Sequence, residues 1–154
     1  MSTSWQLPSL DEAQLARLAE RLARTLEAGG VIFLQGDLGA GKTTFARALL
    51  RGLGVVERIK SPTYSLIESY AVNDLRAHHL DLYRIADAGE LEWLGLDDLM
   101  DDSSLLLVEW PERAAGALPS VDLLLQLSHR DDRRDLRASA CSVRGEQMLA
   151  QWRD

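Results

Sequence analysis

Leu15, Leu18, Leu22 and Leu26 recur at three- and four-residue steps until Gly29-Gly30 breaks the pattern, so the spacing predicts an amphipathic helix. Ser9 and Glu12 just before it have the spacing of a capping box. Val31-Ile32-Phe33-Leu34 is a short, continuously apolar run, the pattern of a central parallel strand with both faces covered. Helical spacing returns in Phe45, Ala46, Leu49, Leu50 and Leu53, giving a helix over 43–53 with Gly54 as its C-cap. Tyr64 to Tyr70 and Leu75 to Tyr83 read as two strands around the turn residues Asn73-Asp74. Glu90 to Met100 reads as a helix and Leu105 to Val108 as another buried strand. Val121 to Leu127 and Leu136 to Cys141 form a second strand pair around the polar turn Arg130 to Arg133, and Glu146 to Trp152 a short closing helix. The expected fold class is α/β: one domain over 1–154, with a mixed, mainly parallel central sheet, flanking helices and added antiparallel strands.

Composition narrows the function classes. The chain has 154 residues, 46% of them hydrophobic, which suits one core. A net charge of −7 opposes unaided binding to nucleic acid, because such affinity comes from cations that displace phosphate counterions. Any RNA contact is expected through a partner. Cys141 is the lone cysteine, so no intrachain disulfide forms. Met1 to Pro8 lacks the basic and apolar regions of a signal peptide, and no apolar run reaches the ~18 residues of a membrane span. The expectation is a cytoplasmic protein without membrane insertion.

The most specific chemistry lies between the first predicted strand and the second helix. Gly36-Asp37-Leu38-Gly39-Ala40-Gly41-Lys42-Thr43 satisfies G-x-x-x-x-G-K-[ST]. Its glycines let the backbone curl so that successive N–H groups face phosphate oxygens, and a following helix adds its positive end. Lys42 would reach the β- and γ-phosphates, and the Thr43 hydroxyl would ligate Mg²⁺. The plainer alternative is a glycine turn that only joins strand to helix. Lysine is scarce here, at Lys42 and Lys60 alone, so the pattern arises by chance on the order of once in a thousand such chains. A P-loop NTPase domain, binding a nucleoside triphosphate with Mg²⁺, is the resulting expectation.

Such a loop needs a further carboxylate at the end of a neighbouring buried strand, and Leu105-Leu106-Leu107-Val108-Glu109 offers Glu109, either as a Walker-B-like metal residue or as a surface acid at a strand exit. His79-Leu80-Asp81-Leu82-Tyr83-Arg84 alternates, placing His79, Asp81 and Tyr83 on one strand face. Asp81 there either positions water beside a triphosphate or simply bonds to a nearby turn. Ser61-Pro62-Thr63 either presents hydroxyls to a γ-phosphate or starts a strand, and Trp110 is either core or a partner anchor. Cys141, His78 and His129 have no arrangement that suggests metal or thiol chemistry.

Taken together, Gly36 to Thr44, Ser61-Pro62-Thr63-Tyr64, His79 to Arg84 and Glu109-Trp110-Pro111 resemble the bacterial TsaE family, in order and across nearly the whole chain. The resemblance implies a small P-loop ATPase needed for the threonylcarbamoyl modification of adenosine 37 in tRNAs that read codons beginning with A. It implies action with TsaB and TsaD, with tRNA met only through that complex. It also implies phosphates on Gly39, Ala40, Gly41, Lys42, Thr43 and Thr44, Mg²⁺ on Thr43 and Glu109, and catalytic roles for Lys42, Asp81 and Glu109. Leu10, Asp11 and Arg134 would neighbour the base and ribose, while Trp110 and the Ser61-Pro62-Thr63 loop would lie where TsaD reaches. Two alternatives stay open: a small-molecule P-loop kinase, and a nucleotide-gated binding module with little turnover. A GTPase would need Asn-Lys-x-Asp, yet Asn73, followed by Asp74, is the chain's one asparagine. Arg84 and Arg134 are the candidates for an arginine finger, and none is obvious, so isolated turnover is expected to be slow.

Overall fold

The computed structural model describes residues 3–101 and 103–154; Met1 and Ser2, part of the stretch read for targeting signals, and Asp102 lie outside them. The strands are β1 (Ser4–Leu10), β2 (Gly30–Gln35), β3 (Ile67–Val72), β4 (Leu75–Asp81), β5 (Ser104–Glu109), β6 (Leu123–Arg130) and β7 (Arg133–Ala140). The helices are α1 (Glu12–Ala23), α2 (Lys42–Leu53), α3 (Leu96–Leu99) and α4 (Val143–Arg153), with 3-10 helices at Ala88–Leu94 and Pro111–Ala114. One seven-stranded sheet runs in the order β1-β7-β6-β2-β5-β4-β3. Its four central strands are parallel, while β1 and β7 at one side and β3 at the other pair antiparallel. This is the expected mixed α/β architecture.

β2 and β5 lie at the centre because nearly every side chain on them is apolar and both faces are covered. One face packs Ile32, Leu34, Leu105 and Leu107 against α1, α2 and α4 through residues such as Leu22, Phe45, Leu49 and Trp152. The other packs Val31, Leu106 and Val108 with Leu80 and Leu82 against Leu91, Leu96 and Ala114 of the short helical segments. The parallel registers Leu34↔Glu109 and Asp81↔Glu109 bring three strand ends to one edge, which is where open α/β sheets gather ligands.

Three sequence expectations need correction. The N-cap of α1 is Asp11, not Ser9: its carboxylate accepts from Gln14 N at 2.8 Å, and the Gln14 side chain accepts from Asp11 N at 2.8 Å. Ser9 is instead turned to φ 57°, with its N–H given to Asp135. The segment 90–100 is not one helix, because Gly95 adopts a left-handed φ of 63° and separates the 3-10 helix from α3. Tyr64 to Leu66 are turn residues, and β3 begins only after Leu66, whose φ is 69°. β1 carries Pro8 and sits at the sheet edge, where it pairs with β7 alone, through a register irregularity between Leu7 and Leu10.

Candidate functional site

β2 feeds the glycine loop into α2, whose N-cap Gly41 has φ 103° and no side chain with which to cap the helix. No acid occupies the first turn either. The positive end of a twelve-residue helix is therefore left for an external anion. Gly36 starts the loop at φ 153°, and a Cβ there would run into the carbonyl of Leu127 on β6. The loop thus fits against its neighbour strand only as glycine.

Lys42 is 5% exposed, and its Nζ donates to the carbonyls of Gly36 and Asp37. The same nitrogen lies 4.3 Å from the centre of the Trp110 ring. Burial pulls the Lys42 pKa below its ordinary value, while Glu109, Glu112, Asp81 and Asp37 act in the opposite sense. A polyanion beside Nζ would favour the charged form.

Glu109 ends β5 almost fully buried, at 1% exposure. Its Oε1 accepts from the Thr43 hydroxyl at 2.9 Å, and its Oε2 from His79 Nε2 at 2.7 Å. Trp110 follows at φ 59°, a left-handed conformation that costs a non-glycine residue on the order of 1 kcal/mol or more. That bend lays its ring over Lys42, against Tyr83 at a centroid distance of 5.0 Å.

Asp81 accepts from Tyr83 N at 3.0 Å and from the Thr63 hydroxyl at 3.4 Å, and Thr63 is hydrogen-bonded to Ser61 at 2.7 Å. The backbone bond from Asp81 N to the Leu66 carbonyl brings that loop alongside β4. Burial raises the Asp81 pKa, and Glu109 adds to the rise, against the lowering effects of the Tyr83 N–H, His79 and Thr63.

These groups line one cavity of about 370 Å³: Leu38, Gly39, Gly41, Lys42, Thr43, Thr44, Thr63, Asp81, Tyr83, Arg84, Glu109 and Trp110. Of the other residues singled out by sequence, Ala40 is wholly buried under the loop, Pro62 is buried, and Ser61 holds Thr63. Leu10 belongs to the core and Asp11 caps α1. Arg134 pairs with Leu10 and donates to the Gly39 carbonyl at 3.0 Å, so it braces the loop from β7. Arg84 sits on the cavity rim with its guanidinium 4.9 Å from the centre of the exposed Tyr64 ring.

Sequence reading missed two contributors. His79 was legible as sharing the Asp81 face, but its bond to Glu109 depends on β4 and β5 being neighbours. His129, whose sequence position suggests neither metal nor thiol chemistry, reaches the Leu38 carbonyl at 3.3 Å from β6; only the β2–β6 pairing brings it there.

Two oxygen donors, the Thr43 hydroxyl and a Glu109 carboxylate oxygen, face one spot, and hard oxygen ligands in small number suit Mg²⁺, which keeps waters and substrate phosphates in its shell. Among the described residues no group of three or more His, Cys, Asp or Glu could hold a metal. The two oxygen donors fit an ion that keeps the rest of its shell for waters and phosphate oxygens.

The family model described as "Threonylcarbamoyl adenosine biosynthesis protein TsaE" matches residues 9–137. The tRNA threonylcarbamoyladenosine biosynthesis protein TsaE of Haemophilus influenzae is 38% identical over 145 residues, covering 91% of this chain and 92% of its own. The protein of the same name in Bacillus subtilis is 35% identical over 146 residues, covering 94% and 89%. The crystal structure of Bacillus subtilis YdiB superposes with a TM-score of 0.82 at 29% identity, over 99% of this chain and 96% of that one. With the family model spanning most of its length and relatives aligned almost end to end, this chain belongs to the TsaE family.

Proposed function

We propose that this chain binds ATP with Mg²⁺ in the cavity at the start of α2 and hydrolyses it slowly, as a cytoplasmic accessory of tRNA threonylcarbamoyladenosine formation that works with TsaB and TsaD. The observation that carries the reading is the convergence of Lys42, Thr43, Asp81 and Glu109 on one cavity at an uncapped helix N-terminus. The names of its relatives support the pathway. The net charge of −7 favours meeting tRNA through partners.

In this reading the N–H groups of Gly39 to Thr44 take the phosphates. Lys42 exchanges the carbonyls of Gly36 and Asp37 for β- and γ-phosphate oxygens, a gain because two neutral acceptors give way to charged ones. The Thr43 hydroxyl and Glu109 hold Mg²⁺, which when bound neutralises charge on the β- and γ-oxygens. Asp81 orients the attacking water and takes its proton, a role suited to a carboxylate whose basicity burial has raised. A guanine reading finds no support: Asn73 lies in the β3–β4 turn, at the opposite end of β4 from Asp81.

Among the described residues the arginines around the cavity have other partners, Arg134 donating to the Gly39 carbonyl from β7. Arg84 is stacked on Tyr64, and Arg113 lies 5.3 Å from the Tyr83 ring centre. Turnover should therefore be slow until a partner completes the site. The same feature favours a second reading, in which the bound nucleotide gates assembly with TsaD and is seldom hydrolysed. Measuring ATP hydrolysis with and without TsaB and TsaD tests both. The proposal expects stimulation that Lys42→Ala abolishes; equal turnover in Lys42→Ala would overturn it. Nucleotide-dependent complex formation without stimulated turnover would leave only the gating reading, and phosphate passed to an added acceptor would indicate a kinase.

A further inference from the structure

Two adjacent histidines on β4 are both buried, at 3% and 1% exposure, yet they are treated differently by their surroundings. His78 has both ring nitrogens engaged, Nδ1 with the Ser69 hydroxyl at 2.8 Å and Nε2 with the Leu99 carbonyl at 3.2 Å, as expected of a histidine that ties core elements together. The His79 ring has one hydrogen-bond partner among the described residues. Its Nε2 meets Glu109 Oε2 at 2.7 Å, and its Nδ1 is, among the described residues, the one buried side-chain nitrogen or oxygen with no hydrogen-bond partner. An imidazole placed for packing alone would be replaced without loss by an apolar ring. Among the described residues, the hydrogen bond that offsets burial of this one goes to the carboxylate of Glu109.

That carboxylate is held from two sides. A carboxylate can only accept, so Nε2 carries the proton and donates to Oε2, while the Thr43 hydroxyl donates to Oε1. Glu109 has three rotatable side-chain bonds, and a donor on Oε2 from β4 fixes which way Oε1 points. The fixed direction is toward the first turn of α2. If a cation displaces the Thr43–Oε1 bond, the His79 bond on the far oxygen is left intact.

We infer that His79 is a positioning residue: it orients the Glu109 carboxylate toward Thr43 so that a divalent cation bound with nucleotide meets a preset oxygen. This rests on the reading of Glu109 as the cation-facing carboxylate. Partners of this kind behind a metal ligand typically alter metal affinity 10–100-fold.

The test is Mn²⁺ binding followed by electron paramagnetic resonance in the presence of a non-hydrolysable ATP analogue, paired with calorimetry of the analogue in EDTA. His79→Leu and His79→Asn, whose short amide stops before Glu109, should weaken Mn²⁺ binding about 10–100-fold and leave metal-free analogue binding unchanged. His79→Gln places an amide N–H near the Nε2 position and should recover most of the affinity. Wild-type Mn²⁺ affinity in both the Leu and Asn variants overturns the inference, as does a folded Gln variant no better than Asn. Should His79→Leu fail to fold, the Asn and Gln pair carries the same test. Glu109→Gln separates the two levels. If it weakens Mn²⁺ binding while the histidine variants do not, only the role of His79 falls; if it has no effect, the reading of Glu109 falls and the role of His79 with it.

Discussion

Single side chains lining the cavity are held in states that cost stability. Asp81 is the clearest case. Its folded-state pKa is raised by burial, so the folded protein binds more protons than the unfolded chain just above the ordinary aspartate range. The charge is therefore destabilising at neutral pH, and the penalty disappears as pH falls below the ordinary value. Asp81→Asn is expected to raise Tm at pH 7, to lose that advantage near pH 4, and to abolish hydrolysis while keeping nucleotide binding. Melting curves at the two pH values with parallel binding titrations check this, and a lower Tm at pH 7 would contradict it. Gly36→Ala should act in the other direction, because the added Cβ meets the Leu127 carbonyl. Displacing the loop from β6 should abolish nucleotide binding, measured by calorimetry, along with lowering Tm. The loop motif, Glu109 at the strand exit and the shared face of His79 and Asp81 were readable from residue order. The Trp110 ring over Lys42 was not, since it depends on a left-handed backbone at a bulky residue, which no local preference announces.

At the level of elements, the helix starts discriminate between sequence reading and structure. Ser9 and Asp11 both have the composition of a cap, with Glu12 and Gln14 at the matching distance. Asp11 takes the role because Ser9 is drawn into the β1–β7 edge by Asp135. Asp11→Ala should cost about 1 kcal/mol, lowering Tm by about 2–4 °C, while Ser9→Ala should change it far less. Thermal melts of the two variants decide between them. The hairpin of β6 and β7 and the helix α2 with its Gly54 cap follow from local signals: alternation, a polar turn and a terminating glycine. The break at Gly95 was harder to see, because Leu91 and Leu94 before it and Leu96 and Leu99 after it each keep a three-residue step. β1 was hidden by Pro8, a residue tolerated only because this strand has one partner.

For the whole molecule, the sheet carries load on both faces, and β5 shows it best. Leu106 faces the cluster with Leu80 and Leu82, and Leu107 the cluster with α1 and α2, each almost wholly buried. Leu106→Ala and Leu107→Ala should each cost about 2–5 kcal/mol in denaturant unfolding, an equality a one-sided sheet would not give. No helix among the described residues is long and apolar enough to cross a membrane, in keeping with apolar runs that are strand-length. The order of apolar runs, glycines and the lone lysine-bearing motif determined the α/β class, the place of the glycine loop before α2 and the carboxylate that faces it, because these depend on periodicity and on backbone freedom over a few residues. Which strands are neighbours is settled by burial summed over the whole chain. Only the tertiary structure could therefore join Glu109 to His79 across β4 and β5, brace the loop with His129 and Arg134 from β6 and β7, and turn Trp110 onto Lys42.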